Sequence, residues 1–541
     1  MISLYSSNGD CFSNYGIDHF IERFGIAVER NAPSQSGIVI EYGSEADGDF
    51  VITVKENEIQ NSLCGSISWK TEKIPVCEIP HDQGSGCGDV LAYFDNGRTR
   101  HPCVTRTERG ISIGADIFRE TGYLLSGHLD TIWPTLGNQQ KNDLAVKPIV
   151  DLLENILFDA VLTGCRNQSV PLVHKSFWPD GKPFAVCLTH DIDEIKKTYQ
   201  WVSRPLRFLA RGDFAGFKGQ ALSFIQKIKG HEPYYMYDDI LTIEESLGVK
   251  STYFILKETG TFNVRSKKTW YLYGRNRSLK GPEIQALIRR LIANGDEIGV
   301  HGSYFSYTNP ALLNEEKREL EEVTGQRIAG NRQHNLNIDI PRTWEYHVKA
   351  GLIYDTSLGF KDRIGFRWGT SFPFSPNNGK ETLPLLEIPL TIMDICLESC
   401  PDKERECLCL ADIVEGCHGV LTLLWHPPIF NILEYPDARD LYIRIIRYCK
   451  EKNAWIARAS DITEWIALRN RISFTYRHDG KTCVITPHSP ESVLFFTIVH
   501  PPGAYITVIS NNARIICREK NCVYITTYNL QGNCEIIVGI T

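Results

Sequence analysis

Residues 184–193 read Phe-Ala-Val-Cys-Leu-Thr-His-Asp-Ile-Asp, and this stretch decides the fold of the central part of the chain. An apolar run ends in two carboxylates that stand two positions apart. Because alternate residues of a β-strand point to the same side, we expect Asp191 and Asp193 to project together from the mouth of a buried strand. One carboxylate can then hold a metal while the other takes a proton from water. The alternative is a strand followed by a solvated turn or a helix N-cap.

Strand-like and helix-like segments alternate around this stretch, through residues 176–470. Between residues 282 and 294 apolar side chains recur at helical spacing, and Gly295 supplies a stop signal. This alternation predicts an α/β fold with a parallel sheet covered by helices, whose ligand sites lie at the carboxyl ends of the strands. Further strand candidates are residues 251–256, 297–301, 385–390 and 420–425.

The two flanking regions have a different character. Residues 1–175 combine β-like segments at 37–42 and 50–54 with a helical stretch near 148–162, which predicts a mixed α/β region of unknown role. Residues 471–541 contain short β-prone runs separated by turn signals such as Asp479-Gly480, which predicts a small all-β, sandwich-like module. The sequence therefore predicts three regions, 1–175, 176–470 and 471–541.

Composition excludes some classes of function. A chain of 541 residues is too long for one ordinary core, and its 42% apolar and 23% charged residues are typical of soluble proteins. The net charge of −7 does not support binding to nucleic acid or to an anionic membrane. No uninterrupted apolar run is long enough for a membrane span. Residues 1–10 lack a secretory signal pattern, so we predict a cytoplasmic protein.

The chain contains 17 cysteines, which we interpret mostly as reduced, buried, small hydrophobic residues. The spacing of the group between Cys396 and Cys417 matches no zinc or iron–sulfur pattern. An ordinary cysteine-rich insertion is the interpretation that we prefer for this group.

Two further strand ends carry side chains that suit metal chemistry. The strand candidate at 297–301 ends in His301, and imidazole is the commonest metal ligand. Farther on, Arg332 and His334 share a face if residues 330–334 are extended, and an arginine beside a carboxylate lowers the pKa of that carboxylate. The alternatives are a structural histidine in the first case and a basic surface turn in the second.

A last apolar run, residues 420–425, leads directly into His426. His426 could act as a general acid, and Trp425 could form an apolar wall for a sugar ring. Alone, this pattern is also typical of a strand end with a satisfied histidine. Four such signals in this order within one α/β region favour a single active site.

In this order the motifs resemble those of the polysaccharide deacetylase (NodB-homology) family. The resemblance covers residues 176–470 and implies a deformed (β/α) barrel. It also implies removal of N-acetyl groups from amino sugars with zinc or a similar divalent ion. The flanking regions resemble those of a subgroup with T-H-D-[IV]-D and R-Q-H signatures, which match residues 189–193 and 332–334.

The resemblance implies a role for each matching residue. Asp191 is the expected base, Asp193 and His301 are expected metal ligands, Arg332 pairs with the base, and His426 is the expected acid. Trp425 and Tyr304 are predicted to contact the substrate. For the family's fourth motif, an Asp and Trp pairing, the candidates stay unranked; they are Asp355, Asp362 and Trp368.

One position departs from the family's pattern. Phe305 stands where the family has its second metal histidine. Catalytic zinc usually keeps three protein ligands, so we predict that His334 supplies the third. The alternatives are a weak site with two ligands, or a pseudoenzyme.

The predicted function is therefore metal-dependent hydrolysis of the N-acetyl amide of a carbohydrate, such as an intermediate of surface-polysaccharide assembly. One alternative is hydrolysis of another non-peptide C–N bond, as in a cyclic ureide or a formamide. Another alternative is a carbohydrate-binding pseudoenzyme on the same fold. The oligomeric state and the identity of the sugar are not predicted.

Overall fold

The structure is a computed structural model that describes the chain except residues 1, 8, 32–36, 85–87, 260–261, 267–268, 270–271, 273–274, 276–277, 489–490, 492, 520 and 529–534. The chain forms two compact units. The first comprises Met1–Pro183, Trp368–Thr370 and Glu464–Thr541, and the second comprises Phe184–Arg367 and Ser371–Thr463.

The secondary-structure elements are numbered in chain order. The helices are α1 (Cys11–Phe24), α2 (Ile117–Leu125), α3 (His128–Ile132), α4 (Asn138–Ala145), α5 (Ile149–Asn167), α6 (Gln200–Ala210), α7 (Phe214–Ile228), α8 (Tyr237–Leu247), α9 (Pro282–Asn294), α10 (Pro310–Thr324), α11 (Arg342–Lys349), α12 (Lys403–Gly416), α13 (Ala438–Glu451) and α14 (Ala459–Arg471).

The strands of the first part of the chain are β1 (Ile2–Ser6), β2 (Val28–Arg30), β3 (Ile38–Tyr42), β4 (Phe50–Val54), β5 (Gly65–Trp69), β6 (Glu72–Val76), β7 (Val90–Asp95), β8 (Arg100–Arg106), β9 (Gly110–Ile113) and β10 (Leu172–Lys175). Those of the central part are β11 (Ala185–Ile192), β12 (Thr252–Leu256), β13 (Glu297–Gly302), β14 (Gly330–Gln333), β15 (Tyr354–Asp355), β16 (Leu386–Glu387), β17 (Ile392–Met393), β18 (Val420–Leu424) and β19 (Trp455–Ala457). The last are β20 (Phe474–His478), β21 (Thr482–Pro487), β22 (Phe495–Val499), β23 (Ile506–Val508), β24 (Ala513–Glu519), β25 (Cys522–Thr527) and β26 (Ile536–Ile540).

The second unit is built on a parallel sheet. Its strand order is β16-β15-β14-β13-β12-β11-β18-β17, and β19 also pairs with β11. Every pairing recorded among its described strands is parallel. The central strand β11 is buried along its whole length, as its continuous apolar run predicts for a strand covered on both faces. The predicted α/β class is therefore confirmed for this unit.

The covering helices bury one apolar face each. In α9 the buried side chains are Ile284, Leu287, Ile288 and Leu291, which recur at helical spacing. Burial of each such side chain contributes about 1.5–3 kcal/mol. The helix ends at Gly295, whose φ of 83° is a left-handed conformation that glycine adopts without a steric penalty.

The sheet is curled, because its two outer strands are neighbours in the sequence. Only residues 388–391 separate β16 from β17. Along this segment the backbone N–H of Leu390 donates to Leu358 (2.9 Å), and that of Thr391 donates to Thr422 (3.2 Å). Since an extended chain spans at most about 3.6 Å per residue, so short a segment brings the two edges close together. This curl agrees with the predicted deformed barrel.

The first unit contains a mixed sheet of order β2-β1-β3-β4-β9-β8-β7-β5-β6 and two antiparallel sheets, β10-β22-β25-β24 and β20-β21-β26-β23. The antiparallel sheets share a core that includes Val173, Phe474, Ile485, Phe496 and Ile525. Here the structure differs from the predicted three regions, because β10 pairs with β22, with Leu172 opposite Val499. A strand from the N-terminal part therefore completes a C-terminal sheet.

Among the described residues, no helix combines the length and the apolarity that a membrane span requires. The cysteine-rich stretch that the sequence singles out lies in the second unit. Cys396 and Cys407 pack in the hydrophobic core of this unit, whereas Cys409, on α12, is exposed.

Candidate active site

The carboxylate of Asp191 is held by a rigid arginine. Arg332, on β14, is fully buried, and its Nη1 donates to Asp191 Oδ1 (3.1 Å) and to Thr189 Oγ1 (2.7 Å). Its Nε donates to the carbonyl of Thr356 (3.1 Å), and its guanidinium lies 4.7 Å from the ring centroid of Phe254. The arginine therefore fixes the orientation of Asp191 and compensates its charge.

Beside this pair, Asp193, His301 and His334 converge. Each offers a ligating atom, and all three atoms lie within 4.8 Å of one another. Oδ1 of Asp193 is 3.3 Å from Nε2 of His301 and 3.9 Å from Nε2 of His334. These are the three residues that the sequence analysis predicts as metal ligands, and the carboxyl ends of β11, β13 and β14 bring them together.

A contact at Nδ1 fixes the orientation of each imidazole ring. Nδ1 of His301 is bonded to the carbonyl oxygen of Arg332 (2.7 Å), and Nδ1 of His334 lies 3.1 Å from Oε2 of Glu258. Each Nδ1 therefore carries the proton in the neutral ring, which leaves Nε2 as the lone-pair nitrogen. In both residues Nε2 is the atom directed toward Asp193, so the set presents one oxygen and two nitrogen ligands.

Charge and burial favour the ligating forms of two of these groups. Burial would raise the pKa of the Asp193 carboxyl, but the positive charge of the neighbouring Arg275 guanidinium is the largest opposing effect, and the pKa lies well below its usual value. Nη1 of Arg275 donates to Oδ2 of Asp193 at 2.7 Å. Burial lowers the pKa of His334 and keeps its ring neutral. Burial acts in the same direction on His301, but Asp191 and Asp193 raise its pKa.

A second charged pair lies at the ends of β17 and β18. Nδ1 of His426 is 2.8 Å from Oδ1 of Asp394, and Oδ2 of Asp394 accepts the backbone N–H of His426 (2.5 Å). Burial would lower the pKa of His426, but the charge and hydrogen bond of Asp394 raise it to about 9. The imidazole is therefore protonated near neutral pH, and its Nε2 remains as a proton donor.

The candidate metal site and the His426 pair each contribute a residue to one cavity of about 400 Å³. It is lined by Asp191, Asp193 and His426, and α6 and Tyr234 contribute to its wall. A volume of this size is within the usual range for small-ligand sites. The cavity is therefore shared by the positioned carboxylate of Asp191, by one residue of the candidate metal site, Asp193, and by the protonated imidazole of His426.

Neither of the two residues predicted to contact substrate is among those that line this cavity. Trp425 is 1% exposed and packs in the core against Tyr442, with ring centroids 5.5 Å apart. It does not line the cavity of Asp191, so the exposed apolar wall that we predicted at this position is a core residue instead. Tyr304 is half-buried, and its backbone N–H donates to Glu258 (3.4 Å).

The position that departs from the family's pattern is at the surface. Phe305 is 44% exposed and stacks edge-on against Tyr304, with centroids 4.9 Å apart. Its ring is therefore not a substitute for a ligand inside the site. His334, by contrast, is buried and offers a ligating atom within 4.8 Å of those of Asp193 and His301.

Sequence reasoning missed three supporting residues, which are Glu258, Arg275 and Asp394. Glu258 stands two residues beyond β12, and Asp394 directly follows β17. A search for carboxylates just after every predicted strand would have found Glu258. Arg275 lies between two strands with no motif around it, so no sequence signal indicates its contact with Asp193.

The candidates for the Asp and Trp pairing lie in different surroundings. Asp355 is buried and accepts hydrogen bonds from Asn331 (2.9 Å) and Ser357 (2.7 Å). Asp362 is exposed and pairs with Arg363, and Trp368 belongs to the first unit. The carboxylate that contacts Nδ1 of His426 is that of Asp394 (2.8 Å), which was not among the candidates.

Comparison with known proteins finds solved structures of low similarity to this chain. No family profile matches the chain, and no curated protein is significantly similar to it. A protein from Mycobacterium smegmatis, described provisionally as a polysaccharide deacetylase, is 18% identical over 54% of this chain and 93% of its own, with a TM-score of 0.37.

Two other solved structures cover different shares of the chain. Agd3, described as a novel carbohydrate deacetylase, is 8% identical over 100% of this chain and 98% of its own, with a TM-score of 0.39. A CE4 family pseudoenzyme from Bacillus anthracis is 13% identical over 52% of this chain and 66% of its own, with a TM-score of 0.27. At these identities and TM-scores, the likenesses assign no activity to the chain.

Proposed function

We propose that this protein is a metal-dependent deacetylase that hydrolyses the N-acetyl amide of an amino sugar or of a polysaccharide intermediate. The observation that carries the proposal is the convergence of Asp193, His301 and His334 within 4.8 Å, next to the carboxylate of Asp191. A metal site, a positioned base and a protonated acid around one cavity are the parts that amide hydrolysis requires.

The residues present fit a divalent ion such as zinc. Oδ1 of Asp193 is buried and has no hydrogen-bond partner among the described residues, although two Nε2 atoms face it. A buried, unsatisfied carboxylate oxygen is costly unless a cation or a donor compensates it. One carboxylate and two neutral imidazoles form a ligand set that catalytic zinc uses, with the remaining position open. Asp193, His301 and His334 would hold the ion.

When bound, such an ion would polarise the acetyl carbonyl and lower the pKa of a nearby water molecule. Asp191 would accept the proton of the attacking water. Arg332 prevents rotation of this carboxylate, so its second oxygen, Oδ2, stays directed toward the site, 3.6 Å from Nε2 of His301. The chain thus separates its two carboxylates by role, with Asp191 as base and Asp193 as ligand.

His426 would protonate the departing amine. The pKa of about 9 that Asp394 gives His426 keeps the imidazole charged while the amide is attacked. The contact between Nδ1 and Asp394 leaves Nε2 for the leaving nitrogen. The acid and the base line the same cavity, as a reaction with separate proton acceptor and proton donor requires.

Release of acetate from N-acetylated amino-sugar oligosaccharides tests this function. The assay compares protein stripped with a chelator, the same protein reloaded with zinc, and the Asp191→Asn variant. We expect acetate only from the zinc-loaded wild type. A matched control is His231→Ala, which removes an exposed histidine outside the site and should leave the rate unchanged.

Two other outcomes would contradict the proposal in different ways. Release of ammonia or formate from a cyclic ureide or a formamide, without acetate from sugars, would assign the site to another C–N bond. Binding of the oligosaccharides by zinc-loaded protein without any hydrolysis would indicate a pseudoenzyme.

A further inference from the structure

Helices α6 and α7 form a helical hairpin, residues 200–229, in the second unit. The turn between them uses Gly212, whose φ is 68°, and Asp213 caps α7 by accepting the backbone N–H of Gly216 (2.9 Å). A Cβ on Gly216 would lie 2.4 Å from Cδ1 of Phe208, so the two helices approach closely where a side chain would clash. The hairpin is therefore a defined element of the fold.

The polarity of α7 is inverted relative to an ordinary surface helix. Its buried residues are Gly219, Gln220 and Ser223, which are small or polar. Its large apolar side chains face outward, with Phe214 76% exposed and Ile228 71% exposed. A helix held by the hydrophobic effect would bury these side chains and expose the polar ones. The exposed apolar residues of the hairpin are Val202, Leu206, Leu209, Phe214, Phe217, Leu222, Phe224, Ile225 and Ile228.

Specific polar contacts hold α7 in this orientation. Oε1 of Gln220 accepts from Lys197 (2.6 Å), and its Nε2 donates to Glu434 (2.7 Å). Ser223 accepts from Nδ2 of Asn431 (3.2 Å). A Cβ on Gly219 would lie 2.2 Å from the carbonyl oxygen of Leu433, so glycine is required for this approach. The outward apolar face is thus built into the fold, and nine exposed apolar side chains on one two-helix element are typical of an interaction surface.

The hairpin is also strongly basic. It carries six basic residues and one acidic residue, a net charge of +5, whereas the whole chain has a net charge of −7. Among the residues that the structure describes, Arg211, Lys218 and Lys229 form no ion pair with the rest of the chain, so their charges are available to an anionic partner. The six basic residues are Arg204, Arg207, Arg211, Lys218, Lys227 and Lys229.

One face of α6 belongs to the candidate active site. Gln200, Ser203, Arg204 and Arg207 recur at helical spacing and line the cavity of Asp191 and His426. The exposed Val202, Leu206 and Leu209 recur on the opposite side of the same helix. The apolar surface therefore lies one helix diameter away from the cavity wall.

We propose that the helical hairpin docks this protein on the surface of an anionic phospholipid bilayer. Exposed Phe, Leu and Ile side chains combined with Lys and Arg are the pattern of helices that lie in the membrane interface. The apolar residues enter the headgroup region, and Arg211, Lys218 and Lys229, which form no ion pair among the described residues, contact lipid phosphates. Docking would then place the cavity next to a glycan that is attached to the membrane surface. This last step rests on the proposed function.

Co-sedimentation with lipid vesicles tests the proposal without any assay of hydrolysis. The full chain is mixed with vesicles of phosphatidylcholine and phosphatidylglycerol, and with vesicles of phosphatidylcholine alone. We expect binding to the anionic vesicles that weakens as salt is added, because the charge contribution is screened over about 10 Å at about 0.1 M salt. The triple variant Phe214→Ser, Phe224→Ser, Ile228→Ser should lose binding by about tenfold or more.

A matched control tests whether vesicle binding depends on the hairpin or on any exposed apolar side chain. Ile79→Ser with Ile509→Ser removes two side chains of the first unit that are 54% and 56% exposed, and should leave vesicle binding unchanged. The three positions of the triple variant are exposed, but Phe224 also packs edge-on against Trp201, with ring centroids 5.7 Å apart. Circular dichroism and the thermal transition of the variant are therefore measured, and a folded variant that has lost vesicle binding supports the proposal.

Three results would overturn the proposal. The first is no sedimentation of the wild type with anionic vesicles, and the second is equal binding by the triple variant. The third is a dimer in analytical ultracentrifugation that the triple variant abolishes, with no vesicle binding by the wild type; that would assign the hairpin to self-association. Loss of vesicle binding with normal acetate release would refute only docking, whereas vesicle binding without hydrolysis would refute only the proposed function.

Discussion

Nε2 of His334 lies 3.9 Å from Oδ1 of Asp193. The two residues are far apart in the sequence, but both stand at carboxyl ends of strands in the curled parallel sheet. His301 lies on the strand beside β14 and completes the group. We infer from this arrangement that His334, and not a residue near Phe305, is the third ligand of a metal site.

Removal of His334 should weaken metal binding. In His334→Ala one of three ligands is lost, so we expect the affinity for zinc to fall by about a hundredfold or more. This loss should exceed that caused by removing a residue that only hydrogen-bonds a ligand. Competition with a chromophoric chelator measures the affinity. His231→Ala is the control, and an unchanged affinity in His334→Ala would show that the site uses only two of these residues.

Glu258 should act through His334. Glu258→Gln keeps the shape of the side chain and removes its charge, so the imidazole loses its carboxylate partner at Nδ1. Outer partners of this kind are typically worth 10–100-fold in metal affinity, and we expect a loss in that range. The double variant with His334→Ala should show little additional loss. Full additivity of the two losses would contradict a role through His334.

Substitutions of Asp191 and Asp193 should have different effects on catalysis and on metal binding. Asp191→Asn should abolish a general-base contribution, typically about 10²–10⁴ in kcat, and should retain the metal. Asp193→Asn should lower metal affinity, because the amide oxygen carries no charge. Zinc content and acetate release are measured on the same preparations. Loss of metal in the first variant and its retention in the second would reverse the two roles.

The pH dependence of activity should report His426. As a general acid it must be protonated, so activity should fall as the pH rises through the pKa of about 9. In Asp394→Asn the carboxylate that raises this pKa is absent, and the alkaline limb should move to lower pH. An unmoved limb in kcat/KM would assign it to another group.

Stability should change over the same pH range. An imidazole in an unfolded chain titrates near about 6.5, and the pKa of His426 is raised in the folded protein. Its stabilising contribution is therefore fully present below about pH 6.5 and is lost as the pH rises through about 9. Asp394→Asn should remove this part of the pH dependence of the free energy of unfolding, which urea denaturation at several pH values measures.

The central fold could be predicted because its signals are local. Each buried strand is a short apolar run, and Asp191, His301 and His426 stand where such runs end. The pairing of Arg332 with Asp191 could be expected for the same reason, since strand ends of a parallel sheet meet at one edge. His334 could be placed because Arg332, two residues earlier, is directed into the site.

Other features depend on contacts that the sequence does not display. Trp425 ends an apolar run, and this pattern fits both a residue that lines a substrate site and a residue of the core. Its packing against Tyr442 places it in the core. The pairing of β10 with β22 joins segments more than 300 residues apart, so the first unit could not be anticipated. The net charge of −7 is a sum over the whole chain and does not show that the helical hairpin is basic. For this reason composition alone did not support membrane binding.

Anomalous diffraction at the zinc edge from crystals of the zinc-loaded protein tests the central claim most directly. We predict one zinc peak per chain, coordinated by Asp193, His301 and His334, with the Nε2 atom of His334 at about 2.0–2.1 Å from the metal. No zinc peak at this site would contradict the account. A peak bound by Asp193 and His301, with His334 well outside bonding distance, would contradict the assignment of the third ligand.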